Sequence, residues 1–185
     1  MHINFPKFYH FIDNLNIKNI DKLNKNIALI YRNYEKKPSV YEIDKFKNYC
    51  KKNNKKFLIS NYSDIAKKHQ LDGFYIPAFN NKIYLNLDNK SNFIIIGSAH
   101  NLKELRIKEK QGVQLIILSP LFKKKKSNRP LGLYRYNILS KLTKLPTIGL
   151  GGITKKNIKT LKLIKSNGFA SISFLKNRNN DGSKT

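Results

Sequence analysis

Three stretches of the chain combine residue types that could do chemistry. The first is Ile148-Gly149-Leu150-Gly151-Gly152-Ile153-Thr154, an apolar run that ends in paired glycines. Glycine lets backbone approach a ligand closely, and a helix from Lys155, capped by Thr154, would offer unpaired N–H groups to an anion. A tight turn that needs glycine is the simpler alternative. The second stretch is Ser98-Ala99-His100-Asn101, directly after another apolar run. At the C-terminal end of a strand His100 is suited to acid–base work, and a capping or strand-end hydrogen bond is the competing reading. No acidic partner for its ring is evident nearby. The third is the stretch from Ser119 to Gly132, with consecutive lysines from Lys123 to Lys126 and then Arg129. Such a loop could hold a phosphate or diphosphate, or simply lie in solvent. His2, His10 and His69 show no metal-ligand spacing. The single cysteine, Cys50, excludes a disulfide within the chain and any multi-cysteine metal site.

Short apolar runs must position these groups. Candidate strands are Phe8–Ile12, Ile27–Tyr31, Lys56–Ser60, Gly73–Ile76, Phe93–Gly97, Leu115–Leu118, Thr147–Leu150 and Ala170–Ser173. Their near-continuous apolar character fits strands covered on both faces. Helical patterns lie between them at Val40–Asn53, Ser63–His69, Leu102–Gln111, Leu133–Leu142 and Lys155–Ser166. Eight strands with intervening helices predict a compact α/β fold, a (β/α)8 TIM barrel; a doubly wound open sheet is the alternative. In such barrels the loops after strands seven and eight often bind phosphate, so Ala170-Ser171-Ile172-Ser173 is the expected second half of the glycine cradle.

Two places are thin for a barrel. The segment Asn81–Asn92 carries a weak signal for the fourth helix, and the eighth helix is missing or vestigial. We expect one barrel domain over residues 1–175 and a polar tail over 176–185. The bare wall beside strand eight is expected to be buried by a partner subunit, in a homo-oligomer.

Charge sets a further boundary. Lys and Arg total 37 against 11 Asp and Glu, a net charge of +26. Such a field could bind nucleic acid or steer a small phosphorylated substrate. Yet the lysines are scattered along helix faces rather than gathered in one arm, as biased residue usage would leave them. Nucleic acid is therefore a disfavoured but open partner. No run approaches the roughly 18 apolar residues needed to span a bilayer, and the N-terminus lacks a signal-peptide layout. A soluble cytoplasmic protein, with no membrane partner, is the expectation.

Taken in order, SAHNLKEL, a strand ending SPLF, a basic loop ending PLG, LPTIGLGGITKKNI and GFASISFL resemble thiamine phosphate synthase and its relative TenI. The match covers residues 93–174. A weaker one runs back through FLISNYSDIAKKHQLDGFYIP to the strand containing YHFID. The resemblance implies a (β/α)8 barrel that handles phosphorylated thiazole and pyrimidine compounds. Synthases of the family join hydroxymethylpyrimidine diphosphate to a thiazole phosphate, and Mg²⁺ helps diphosphate leave. By resemblance Gly151, Gly152, Ile172 and Ser173 hold the thiazole phosphate. Arg32, Asn61, Ser98 and Lys126 (or Ser127) take the diphosphate or substrate contacts.

The departures from the family pattern fall on the metal. The two aspartates that hold Mg²⁺ in synthases correspond here to Tyr62 and Asn80. Mg²⁺ wants oxygen ligands, anionic ones most, so these are poor replacements and no metal ligand is expected. The lysine two residues beyond the arginine has become Tyr34, while Asp64 survives at a helix start, where the helix dipole accounts for it. TenI relatives lack this metal site too, and Ile76-Pro77-Ala78 is similar to their segment after strand four. Their reaction is isomerisation of a thiazole carboxylate phosphate to its aromatic tautomer, with a histidine after strand five as acid/base; His100 corresponds to it. A TenI-like tautomerase is the favoured expectation. The alternatives are an active synthase, which would need Mg²⁺ or the charge of the lysine loop, and a non-catalytic barrel that binds phosphate ligands or nucleic acid.

Overall fold

The computed structural model describes residues 5–21, 23, 26–84, 93–123 and 129–173. Its strands are β1 (Phe8–Ile12), β2 (Ile27–Tyr31), β3 (Lys56–Ser60), β4 (Gly73–Ile76), β5 (Ile94–Ala99), β6 (Leu115–Leu118), β7 (Thr147–Leu150) and β8 (Phe169–Ser171). They follow one another as a closed eight-stranded barrel, which decides against the open sheet. Helices α1 (Val40–Lys52), α2 (Ser63–Lys68), α3 (Leu102–Lys110) and α4 (Gly132–Lys141) intervene, with 3₁₀ turns at Ile17–Asn19 and Ile158–Leu163. Between β4 and β5 no helix occurs among the described residues, and the segment where the eighth helix was expected to be missing or vestigial lies outside them. No helix among the described residues is long and apolar enough to cross a membrane.

Contacts divide the chain into two compact units. The first comprises Met1–Tyr75, Asn89–Ile94 and Ser171–Thr185; the second comprises Ile76–Asp88 and Ile95–Ala170. In the first unit β1, β2, β3 and β4 pair in parallel in chain order. Helix α1 begins with a reciprocal cap, Ser39 accepting from the Glu42 N–H while the Glu42 carboxylate accepts from Ser39. It buries Ile43, Phe46 and Cys50, and the Phe46 ring meets Phe57 of β3 edge-on at 4.9 Å. That apolar face fixes α1 against β3.

In the second unit β5, β6 and β7 pair in parallel, and β7 pairs with Phe169 and Ala170. Strand β5 ends two residues later than its apolar run, because Ser98 and Ala99 pair with Ile117 and Leu118. The ladder, not hydrophobicity, decides where it stops. The helix expected over Lys155–Ser166 is instead a turn followed by the 3₁₀ segment Ile158–Leu163. Asn157 braces that turn: its Oδ1 accepts the Thr154 N–H at 2.8 Å and its Nδ2 donates to the Gly152 carbonyl at 2.8 Å. Those bonds hold the chain from Gly152 to Asn157 together ahead of the 3₁₀ segment.

Candidate functional site

The end of β5 is built around a histidine with one ring nitrogen committed. The His100 Nδ1 lies 2.6 Å from the Ser119 carbonyl oxygen and 3.2 Å from its hydroxyl. A carbonyl can only accept, so Nδ1 carries the proton and Nε2 is the basic atom of the neutral ring. Residue His100 is itself exposed. Glu104 does not reach this ring. Its Oε2 accepts the His100 backbone N–H at 2.7 Å and its Oε1 accepts from the Asn101 amide, while Asn101 caps the Glu104 N–H. The carboxylate is therefore spent on starting α3. Ser98, one turn of the pleat earlier, is buried in β5.

After β7 the chain takes two positive φ values in succession, 102° at Gly151 and 69° at Gly152. A side chain at Gly152 would stand 2.6 Å from the Phe122 carbonyl oxygen and 2.8 Å from that of Lys123. Packing against the loop after β6 thus requires this glycine whatever binds there. Among the described residues, though, no acceptor meets the N–H groups of Gly152 and Ile153. Two adjacent donors of this kind suit an anion. The expected helix N-terminus does not reinforce them, since Ile158 opens only a short 3₁₀ segment without a side-chain cap. Ile172 and Ser173, the other half of the expected cradle, are exposed after β8 and belong to the first unit.

At the end of β4, every oxygen of Asn80 already has a partner. Its Oδ1 accepts the Lys82 N–H at 2.9 Å, and its amide donates to the Tyr84 hydroxyl at 2.8 Å. Its main-chain oxygen accepts from Lys108 Nζ at 2.7 Å and from Gln111 Nε2 at 2.9 Å. Gln111 Nε2 donates also to the Lys82 carbonyl, at 2.8 Å, and its Oε1 accepts from Lys108. Lys108 is fully buried, and burial holds its ammonium well below its ordinary pKa, at about 8. Room for its stem comes from Gly97, where an added Cβ would stand 2.8 Å from Lys108 Cδ. A neutral, fully bonded asparagine beside a buried ammonium does not fit a divalent cation.

The first unit holds the remaining candidates. The Arg32 guanidinium lies over the Phe11 ring, 4.7 Å from its centre, while the Arg32 backbone N–H donates to the Ile12 carbonyl. Tyr34 is near enough to feel it. Burial raises the Tyr34 phenol, against smaller lowering effects of a Ser60 hydrogen bond and the Arg32 charge. Asn61 follows β3 at φ 62°, a conformation asparagine tolerates, and its N–H reaches the Tyr75 carbonyl at 3.3 Å. Tyr62 starts α2 without a side-chain cap. As a lone phenol it too is a poor Mg²⁺ ligand. Buried His10 of β1 lies 3.4 Å from the Ser171 hydroxyl, a pair no local spacing suggested. Lys126 and Ser127 lie outside the described residues.

Comparison with known proteins gives one consistent result. Residues 23–175 match the family model for thiamine monophosphate synthase. A protein of Aquifex aeolicus, described as a putative thiamine-phosphate synthase 2, is 34% identical over 120 residues that cover 63% of each chain. A thiamine-phosphate synthase of Prochlorococcus marinus is 31% identical over 126 residues, 66% of this chain and 36% of that one. The chain thus spans between about a third and just under two thirds of the curated relatives it matches. Among solved structures, thiamine phosphate pyrophosphorylase from Pyrococcus furiosus shares the fold. Its TM-score is 0.75 at 24% identity, over 92% of this chain and 87% of that one.

Proposed function

The chain belongs to the thiamine monophosphate synthase family, and on that premise we propose that it serves thiamine biosynthesis as a TenI-like thiazole tautomerase. The observation that carries this reading is the His100 ring, held by Ser119 in the tautomer that leaves Nε2 basic. Substrate and product differ only in where one proton sits. Nε2 takes that proton from the partly saturated thiazole carboxylate phosphate and returns it at the new position, so the ring becomes aromatic and the histidine ends neutral. The N–H groups of Gly152 and Ile153 take the phosphate. Arg32, Asn61, Ser98, Ile172, Ser173 and Lys126 contact substrate in the roles that the resemblance gives them.

In the family's synthases Mg²⁺ supplies charge to the departing diphosphate. Neither Asn80 nor Tyr62 suits that ion here, and the proposed reaction needs none. Continued synthase activity is the second reading. It is favoured by the names of the relatives and by the lysines from Lys123 onward, whose charge could partly stand in for the metal.

One assay separates the two. Purified protein is given the thiazole carboxylate phosphate alone, or hydroxymethylpyrimidine diphosphate with thiazole phosphate and Mg²⁺. Isomerisation in the first mixture that disappears in His100→Ala supports the proposal. Diphosphate release in the second that survives the same substitution replaces it with the synthase.

A further inference from the structure

A concave feature lies at the N-terminal ends of β2 and β3, the opposite end of those strands from Arg32 and Asn61. A cavity of about 530 Å³ is lined there by Lys47, Lys51, Lys55 and Lys56, against one carboxylate, Asp72. That carboxylate is already committed. Its Oδ1 holds Lys56 Nζ at 2.8 Å and its Oδ2 accepts the Phe57 N–H at 2.9 Å. Lys55 is only 4% exposed, and its ammonium is fixed by the Leu23 carbonyl at 2.9 Å. The positive charge is thus partly built into the wall and not merely waving in solvent.

Lys47 and Lys51 stand one turn apart on α1, a spacing at which like charges repel. Neither forms an ion pair among the described residues. Asn54 and Gln70 add side-chain amide donors to the same wall. An anion bridging the two lysines would remove their repulsion and gain charge-assisted hydrogen bonds from both.

We propose that this pocket binds a small polyphosphate anion, distinct from the phosphate end of the thiazole site. Among the described residues no aromatic ring lines it, so a nucleotide base has nothing to stack on and the phosphate chain is what is recognised. The other cationic concavity among the described residues, lined by Arg106, Lys141 and Lys144, has no buried lysine in its wall, and there Glu109 already pairs with Arg106.

The test follows the backbone amide signals of Asn54 and Gln70 by NMR during titration with sodium tripolyphosphate, in ¹⁵N-labelled full-length protein. Lys47→Gln/Lys51→Gln keeps good helix formers on α1. Lys110→Gln/Lys162→Gln removes the same charge from other surfaces. We expect saturable shifts at both amides, weakened about tenfold by the pocket variant through two lost charge-assisted contacts and less than about twofold by the control. Metal-free ATP should match tripolyphosphate within about threefold, as a phosphate-only contact requires. Equal weakening by both variants, shifts that never saturate, or binding of ATP but not tripolyphosphate would each overturn the site.

Discussion

The ends of β4 and β5 carry the two residues on which the proposed function turns, and they are finished in opposite ways. At β5 the His100 ring has one nitrogen engaged and the other basic. At β4 both oxygens of Asn80 are occupied, one of them by the ammonium of Lys108. The first arrangement readies an atom for proton transfer. The second withdraws the atoms that a metal would need and sets a positive charge beside them. Family membership alone fits either a metal-assisted condensation or a metal-free isomerisation; this contrast favours the second.

The largest expected effect comes from breaking the β5 end. His100→Ala should lower isomerisation at least about a hundredfold, as removal of a general acid–base does, while phosphate affinity stays within about threefold. Turnover and binding measured on the same preparation check this. At the β4 end, Gln111→Leu removes the hydrogen bonds to Asn80, Lys82 and Lys108. A loss of about 1–3 kcal/mol in denaturant unfolding is expected from the stranded groups.

Lys108 sharpens the same contrast through pH. Its folded pKa lies below its ordinary value, at about 8, so the unfolded chain binds the extra proton between that point and the ordinary lysine range. Stability from this group therefore rises as pH climbs from about 8 towards 10.5. The difference in unfolding free energy between the natural chain and Lys108→Met should drift in that direction. A flat difference would mean that the ammonium is not held as described. The smallest effect is expected from Asn80→Asp. The new carboxylate would sit beside Lys108 with one oxygen still bonded to the Lys82 N–H, so calorimetry should find no gain in Mg²⁺ affinity. A clear gain would erase the difference between the two ends.

Much of the fold was legible because each strand is a short apolar run, and β1, β2, β3, β4, β6 and β7 have the expected bounds. The errors came where other forces act. Ser98 and Ala99 extend β5 through pairing, and the helix expected after β7 is a turn braced by Asn157 and then a 3₁₀ segment. In the site, His100 could be picked out by its place after a strand. Its partner Ser119, 19 residues away, could not, because only the β5–β6 pairing brings them together. The role of Lys108 was hidden for a different reason. A lysine on a helix reads as solvent-facing, and the one available hint was Gly97, a missing side chain in the strand behind it.

The central claim, that His100 moves a proton without metal, is tested most directly by the rate of thiazole isomerisation with a strong chelator and with excess Mg²⁺. The same rate under both conditions, lost in His100→Ala, is the expected result. A rate that collapses with chelator and returns with Mg²⁺ would contradict it.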